Sequence, residues 1–65
     1  MKTTNVLAKN LHAGDYLVEG KGTRLAGRHI CEVHVERRLV RVVVNERVGF
    51  GHRKFARTRR VRIVK

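Results

Sequence analysis

Apolar and polar residues alternate along three segments of the chain, and this alternation is the pattern of a half-buried β-strand. In residues 29–36, one face carries Cys31, Val33 and Val35, and the other carries Glu32, His34 and Glu36. In residues 39–45, one face carries Val40, Val42 and Val44. Residues 58–65 set Val61 and Ile63 against Arg60 and Arg62. The pattern therefore predicts three strands, the last with an arginine-rich outer face.

The first third of the chain is less regular. Residues 16–19 predict a further short strand, with a turn before it at residues 12–15. After it, residues 20–23 are too rich in glycine and too polar to continue the strand and predict a loop. Residues 6–11 fit either a short first strand or one helical turn, and the sequence does not choose between them.

Two connections complete the pattern. Arg37 and Arg38 predict a tight link between neighbouring strands, and the glycines in residues 46–57 break the alternation and predict a flexible loop. Four or five short strands with glycine-rich loops predict an all-β fold. A small antiparallel barrel fits better than an open sheet, because closure removes exposed strand edges. The chain is long enough for one domain only, residues 1–65.

Some apolar residues fall on the face that strict alternation assigns to solvent. They are Ile30, Leu39, Val43 and Val64. A small closed barrel would expose fewer apolar side chains than this to water. These residues therefore predict a second hydrophobic contact surface, covered by a second copy of the chain in a homodimer or by a protein partner.

Positive charge is concentrated in the second half of the chain. The 65 residues carry 16 Lys and Arg against 5 Asp and Glu, a formal net charge of +11. Residues 1–36 hold five bases and four acids, a balance of +1, whereas residues 37–65 hold eleven bases and one acid, a balance of +10. Such asymmetry is typical of polyanion binding, with a merely soluble surface as the alternative. Arginine outnumbers lysine eleven to five, which favours nucleic acid over a membrane and leaves DNA or RNA open.

Composition argues against several other classes of protein. The longest apolar runs are three residues, far below the ~20 of a membrane helix, and no export signal is visible, so we expect a soluble, cytoplasmic protein. The chain has no serine and its five acids are scattered, which argues against an enzyme. The possible metal ligands do not share one strand face, so we expect neither a metal nor another cofactor; they are His29, Cys31, His34 and His52.

Closely spaced glycines occupy the first half of the chain, in Gly14-Asp15-Tyr16-Leu17-Val18 and then in Lys21-Gly22 and Gly27. This arrangement resembles the KOW motif of some ribosomal proteins and transcription elongation factors, over about a third of the chain. The resemblance implies a small SH3-like antiparallel barrel of four to five short strands that contacts RNA or the transcription machinery. The matching positions are Gly14, Asp15, Lys21 and Gly22, although the spacing from Gly22 to Gly27 is longer than in the motif.

Residues 47–55 place two aromatic side chains among three Lys and Arg side chains and one histidine. Phe50 can stack on a base while arginine and lysine hold the backbone, which contributes roughly 1–3 kcal/mol per stacked base. Phe55 is better explained as a residue that fills the core ahead of the last strand. The candidate nucleic-acid-binding residues are Arg37, Arg38, Arg41, Phe50, His52, Arg53, Lys54, Arg57, Arg59, Arg60 and Arg62.

The leading hypothesis is a module that binds the phosphate backbone of nucleic acid with weak sequence specificity. The alternative is a small regulatory or phage-encoded protein that docks on an acidic surface of a host protein. Size and charge do not separate the two hypotheses. The salt dependence of binding to DNA and RNA does, because the alternative predicts no more affinity for nucleic acid than any polycation has.

Overall fold

Six β-strands make up most of the structure. The computed structural model describes residues 2–21 and 24–64. The elements in chain order are β1 (Thr3–Leu7), a short 3-10 helix η1 (Ala8–Asn10), β2 (Tyr16–Lys21), β3 (Arg24–Val35), β4 (Leu39–Asn45), β5 (Phe50–Ala56) and β6 (Arg60–Val64). All strand pairs are antiparallel, in the order β1-β6-β2-β3-β4-β5. The all-β prediction is confirmed, with six strands instead of the four or five expected.

The sheet does not close on itself. Within the described residues, β1 and β5 are its two edges. The segment after β1 runs beside the residues that precede β6: the backbone N–H of Ala8 donates to the carbonyl of Arg59 (2.8 Å) and that of Lys9 to the carbonyl of Arg57 (3.1 Å). These bonds attach η1 to the connection between β5 and β6 without pairing the two edges. The closed barrel expected from the sequence is therefore not confirmed.

Strand β3 is long enough to pair with a different strand in each half of the sheet. Residues 24–29 pair with β2, and residues 30–35 pair with β4. The pairing shifts between Ile30 and Glu32, so Cys31 is an extra residue in the ladder, and such a β-bulge bends the strand. Beyond the bulge, the two faces of the strand are exchanged relative to strict alternation.

The bulge corrects the sequence prediction for Ile30. This residue lies opposite Val44, and the two are 2% and 0% exposed. Val33 lies opposite Val42 and packs against the core from a half-buried position. Ile30 and Val33 share the inner face because the extra residue, Cys31, stands between them. Ile30 is therefore a core residue and is not available to a partner.

The core lies on the inner face of both halves of the sheet. Its buried members are Ala8, Leu11, Leu17, Ile30, Val40, Val42, Val44 and Val61. The predicted inner face of β4 and the position of Val61 are thus confirmed. Phe55 and Ile63 pack against this core from partly buried positions, as expected. Leu39, Val43 and Val64, which the sequence assigned to a partner surface, are half-buried.

Residues 50–56 form a strand where a flexible loop was predicted. The reversal before them is compact: the N–H of Glu46 donates to the carbonyl of Gly49 (3.1 Å), and Gly49 has a φ of +77°, which favours glycine. Phe50 can then pair at once with Asn45. The glycines that interrupt the sequence pattern therefore tighten the hairpin.

Other turns match the sequence more closely. Gly14 has a φ of +97°, and the Asp15 carboxylate accepts from the backbone N–H of His12 (2.9 Å), which confirms the turn at residues 12–15. The N–H of Glu36 donates to the carbonyl of Leu39 (2.8 Å), which confirms the tight link between β3 and β4. Residues 6–11 contain both alternatives left open, the end of β1 and then η1. The loop predicted at residues 20–23 is wrong for its first half, because Gly20 and Lys21 continue β2 and pair with Leu25 and Arg24. Its second half, residues 22 and 23, lies outside the described residues.

The correction at Ile30 is testable by substitution. Ile30→Ala removes most of a fully buried side chain and should cost about 2–5 kcal/mol of unfolding free energy. Val43→Ala, at a half-buried position on the opposite face of β4, should cost about 1 kcal/mol or less. Urea denaturation followed by far-UV circular dichroism measures both losses. Equal, small losses of unfolding free energy in the two variants would contradict the bulge and show that Ile30 is not buried.

Candidate nucleic-acid interface

Ten of the eleven candidate residues are exposed, and only Arg53 is half-buried. The exposed ones fall into two groups. We call the first the β6 arginine group: Arg57, Arg59, Arg60 and Arg62. We call the second the hairpin group: Arg37, Arg38, Arg41, Phe50, His52 and Lys54.

The β6 arginine group owes its outward direction to the strand itself. Val61 is buried and Ile63 packs against the core, so Arg60 and Arg62 leave the opposite face. Arg62 is centred between β1 and β2, where it is paired with Asn5 and Val18. The backbone of a central strand is hydrogen-bonded on both sides, so the backbone of Arg62 is held in place.

The other two members of the group lie on the turn between β5 and β6. Their carbonyls accept the bonds from η1 described above, and the N–H of Arg59 donates to the carbonyl of Ala56 (3.0 Å). The backbone of the turn is therefore held by hydrogen bonds to η1 and to the end of β5, although the arginine side chains are exposed. Arg59, Arg60 and Arg62 line a single groove, together with the Val18–Gly20 part of β2 and Phe55. The fold thus brings three predicted arginines to one place.

The hairpin group shares the outer face of β4 and β5. Arg41 lies opposite Lys54, and Val43 lies opposite His52, so the three polar side chains project on the same side. Phe50 begins β5 on this face and is 66% exposed. Acidic groups are close by: Nη1 of Arg41 lies 3.3 Å from Oε2 of Glu36. The positive charge of this face is therefore partly offset.

Arg53 faces the inner side of the sheet, opposite Val42. Its Nε donates to Oε2 of Glu19 (2.7 Å), and its Nη2 donates to Oε1 of Glu19 and to Oε1 of Glu46 (both 3.1 Å). The side chains of Arg53 and Glu19 are only 28% and 29% exposed. The guanidinium fork that the sequence grouped with phosphate-binding cations is already occupied by carboxylates. Arg53 connects β5 to β2 on the inner side of the sheet.

Arg28 completes a network of two arginines and two glutamates. Its Nε lies 3.4 Å from Oε1 of Glu19. The hydrogen bond from Arg53, helped by the charges of Arg53 and Arg28, holds the pKa of Glu19 below its ordinary value of 4.5, against the opposing effect of partial burial. The same hydrogen bond raises the pKa of Arg53. Glu19 and Arg53 are therefore both charged at neutral pH.

Gly51 makes room for this network. It is buried on the inner side of β5, and a Cβ atom there would overlap the Glu46 carboxylate and lie 2.5 Å from its Cδ. Sequence reasoning missed Glu19, Arg28 and Glu46 as partners of Arg53. The one usable signal was that Glu46 is the only acid among residues 37–65.

Every acidic side chain of the protein has a partner. The described residues include all five, and three of them form ion pairs with arginine: Glu19, Glu36 and Glu46. Oε1 of a fourth, Glu32, lies 3.8 Å from Nε2 of His34. The fifth, Asp15, accepts the bond that closes the turn at residues 12–15. None of these acids pairs with the β6 arginine group in the part of the chain that the structure describes. Glu19 also lines the groove of that group, but its carboxylate pairs with Arg53 and Arg28, so the four arginines form no ion pair among the described residues.

Other kinds of site have no counterpart in residues 2–21 and 24–64. These ranges contain no group of three or more His, Cys, Asp or Glu side chains arranged to hold a metal ion. They contain no helix with the length and apolar character needed to span a membrane. The free thiol of Cys31 is half-buried at the bulge.

The network around Arg53 predicts a pH-dependent contribution to stability. Arg53→Met should cost about 1–3 kcal/mol near pH 7, because it leaves two half-buried carboxylates without their donor. The folded pKa of Glu19 is depressed, so its contribution is present above about pH 4.5 and is lost as the pH falls further. The difference in unfolding free energy between wild type and variant should therefore shrink in acid, as measured by urea denaturation across that range.

The matched control is Arg57→Met, which removes an exposed guanidinium. It should change stability by less than about 0.5 kcal/mol at either pH. A gap between wild type and Arg53→Met that stays constant from neutral to acidic pH would show that the ion pair with Glu19 is not its cause.

Comparison of the chain with protein-family models, curated proteins and solved structures finds no match. Function is therefore inferred from the placement of charge alone. The uncompensated β6 arginine group is the strongest feature of that kind in the molecule.

Proposed function

We propose that this protein binds nucleic acid through phosphate contacts made by the β6 arginine group, with weak sequence specificity. The observation that carries the proposal is the exposure of four arginines on a fastened turn and strand with no side-chain carboxylate partner among the described residues. An uncompensated cluster of this kind is costly in a free protein because like charges repel, and a polyanion relieves the cost. Guanidinium groups also form forked hydrogen bonds with phosphate.

The geometry supports contacts with the backbone more than with bases. Arg60 and Arg62 leave one face of β6 two residues apart, which separates their Cα atoms by about 7 Å along the strand. Among the described residues, the groove that they line with Arg59 is formed by strand and turn residues, whereas a major groove is commonly entered by a helix or a two-stranded ribbon. Contacts of this type fix position on a nucleic acid and carry little sequence information.

The finer fold assignment is part of the same proposal. We propose an SH3-like barrel that stays open between its edge strands β1 and β5, with the Glu19–Arg53 pair joining β2 to β5 on the inner side of the sheet. The shared strand β3 supports this, since it allows one sheet to fold over a single core. Gly14 and Asp15 form a turn immediately before β2, which supports the KOW-type resemblance. Gly22, a further matching position, lies outside the described residues.

One feature favours the alternative, a protein-interaction module. The connection between β4 and β5 exposes Val48 (89%) and Phe50 (66%), beside the cations of the hairpin group. An acidic surface with an apolar centre on a host protein would fit this tip. Under this alternative, a homodimer surface would contain the half-buried residues Leu39, Val43 and Val64. Ile30 is buried and does not belong to that surface.

Charge reversal separates the two functions. The Arg60→Glu, Arg62→Glu double variant should keep the circular dichroism spectrum and melting temperature, because both side chains are exposed. Its affinity for labelled DNA and RNA, measured by fluorescence anisotropy, should fall at least tenfold at low salt. The wild-type slope of log affinity against log salt should be about −3 to −5, for four to six neutralised phosphates, and should become shallower by about 2 in the variant.

The matched control is the Arg24→Glu, Arg47→Glu double variant. Both arginines are exposed and outside the two groups, and the change in net charge is the same. It should bind nucleic acid with nearly the wild-type slope. If the two double variants lose affinity equally, binding is that of any polycation, and the protein-interaction alternative is preferred.

A further inference from the structure

Two aromatic rings contact each other, in a tilted arrangement, on the same face of the sheet as Arg62. Tyr16 on β2 lies opposite His29 on β3, and their ring centroids are 4.6 Å apart with an interplanar angle of 39°. Tyr16 is half-buried, whereas His29 is exposed. This pair was not among the candidates that the sequence indicated, because nothing in the sequence shows that residues 16 and 29 are neighbours.

Gly27 leaves room for the tyrosine ring to lie against β3. A Cβ atom at this position would collide with the ring, and the nearest distances that it would have include 2.8 Å to the hydroxyl oxygen. The ring therefore lies over the backbone of β3 instead of projecting into solvent. A ring held in this way loses little conformational freedom when a ligand packs against it.

The register places cations beside the ring pair. Val18 is two residues from Tyr16 on the same face, and it lies opposite both Gly27 and Arg62. Arg62 lies on β6, the strand next to the one that carries Tyr16, and neighbouring strands are about 4.8 Å apart. Asn5 lies next to Arg62 on β1 and is exposed. The face thus combines a ring platform, a guanidinium and an amide.

We infer that Tyr16 and His29 form a stacking site for one unpaired base of a single-stranded nucleic acid whose phosphates are held by Arg60 and Arg62. The inference rests on the proposed function and adds the class of ligand. A base in a duplex has both of its π-faces covered by neighbours, so an aromatic pair on the surface of a sheet selects an unpaired base. Arg62, and then Arg60 two residues further along β6, lie on one side of the ring pair and bind successive phosphates on that side of the base.

Tyrosine fluorescence gives a direct test, because the chain contains one tyrosine and no tryptophan. Emission therefore comes from Tyr16 alone. Titration with an oligothymidylate should quench it, whereas an abasic oligonucleotide of the same length, which carries the same phosphates, should bind about tenfold more weakly and leave the emission unchanged. A tenfold factor corresponds to about 1.4 kcal/mol, within the range for one stacked base.

Substitutions on β3 provide a matched pair. His29→Ala should lower the affinity for oligothymidylate severalfold and leave the affinity for the abasic strand unchanged. His34→Ala removes the same side chain from another exposed position on the same strand and should alter neither affinity. His29→Phe should restore the preference for bases, since it keeps an aromatic ring. Tyr16→Phe should also preserve it, which avoids reliance on a truncation of the half-buried Tyr16.

The outcomes separate this inference from the proposed function. Equal binding of the oligothymidylate and the abasic strand, with unchanged emission and a steep salt dependence, overturns the stacking site and leaves phosphate binding by the β6 arginine group in place. Failure of both strands to bind overturns both. Quenching together with a loss of base preference in His29→Ala but not in His34→Ala supports the inference.

Discussion

The bend of β3 at Cys31 determines the shape of the whole molecule. One strand supplies the hydrogen bonds for β2 on one side of the bulge and for β4 on the other, so both halves of the sheet turn their inner faces to a single core. This arrangement brings the inner faces of β2 and β5 towards each other. The network of Glu19, Arg53 and Glu46 then joins these two strands, which no backbone pairing connects.

Sequence periodicity identified the strands that alternate strictly and failed where the ladder is irregular. The inner faces of β4 and β6 could be read directly, because each carries β-branched residues at every second position. Ile30 was misplaced since a bulge shifts the alternation by one residue without any distinctive residue type. Strand β5 was missed because its glycines are required by the turn at Gly49 and by the Glu46 side chain over Gly51, and they resemble loop residues in sequence.

The exposed part of the candidate surface was easier to predict than its internal electrostatics. Arginines that alternate with core residues, such as Arg60 and Arg62, must point outward. Arg53 also alternates, but its partner Glu19 is 34 residues away along the chain, and no local pattern indicates that they meet. The same limit hid the contact between Tyr16 and His29. Pairing between distant strands therefore decides which cations are free, and a count of charges along the chain does not.

The full use of the acidic side chains has a consequence for how the protein can change in evolution. Each of the five acids has a side-chain or turn contact, so loss of an acid gives up that contact as well as negative charge. The side chains of the arginines in the turn before β6 and on its outer face form no ion pair among the described residues. Gain or loss of arginines there therefore changes the strength of the positive field without breaking an ion pair of this kind.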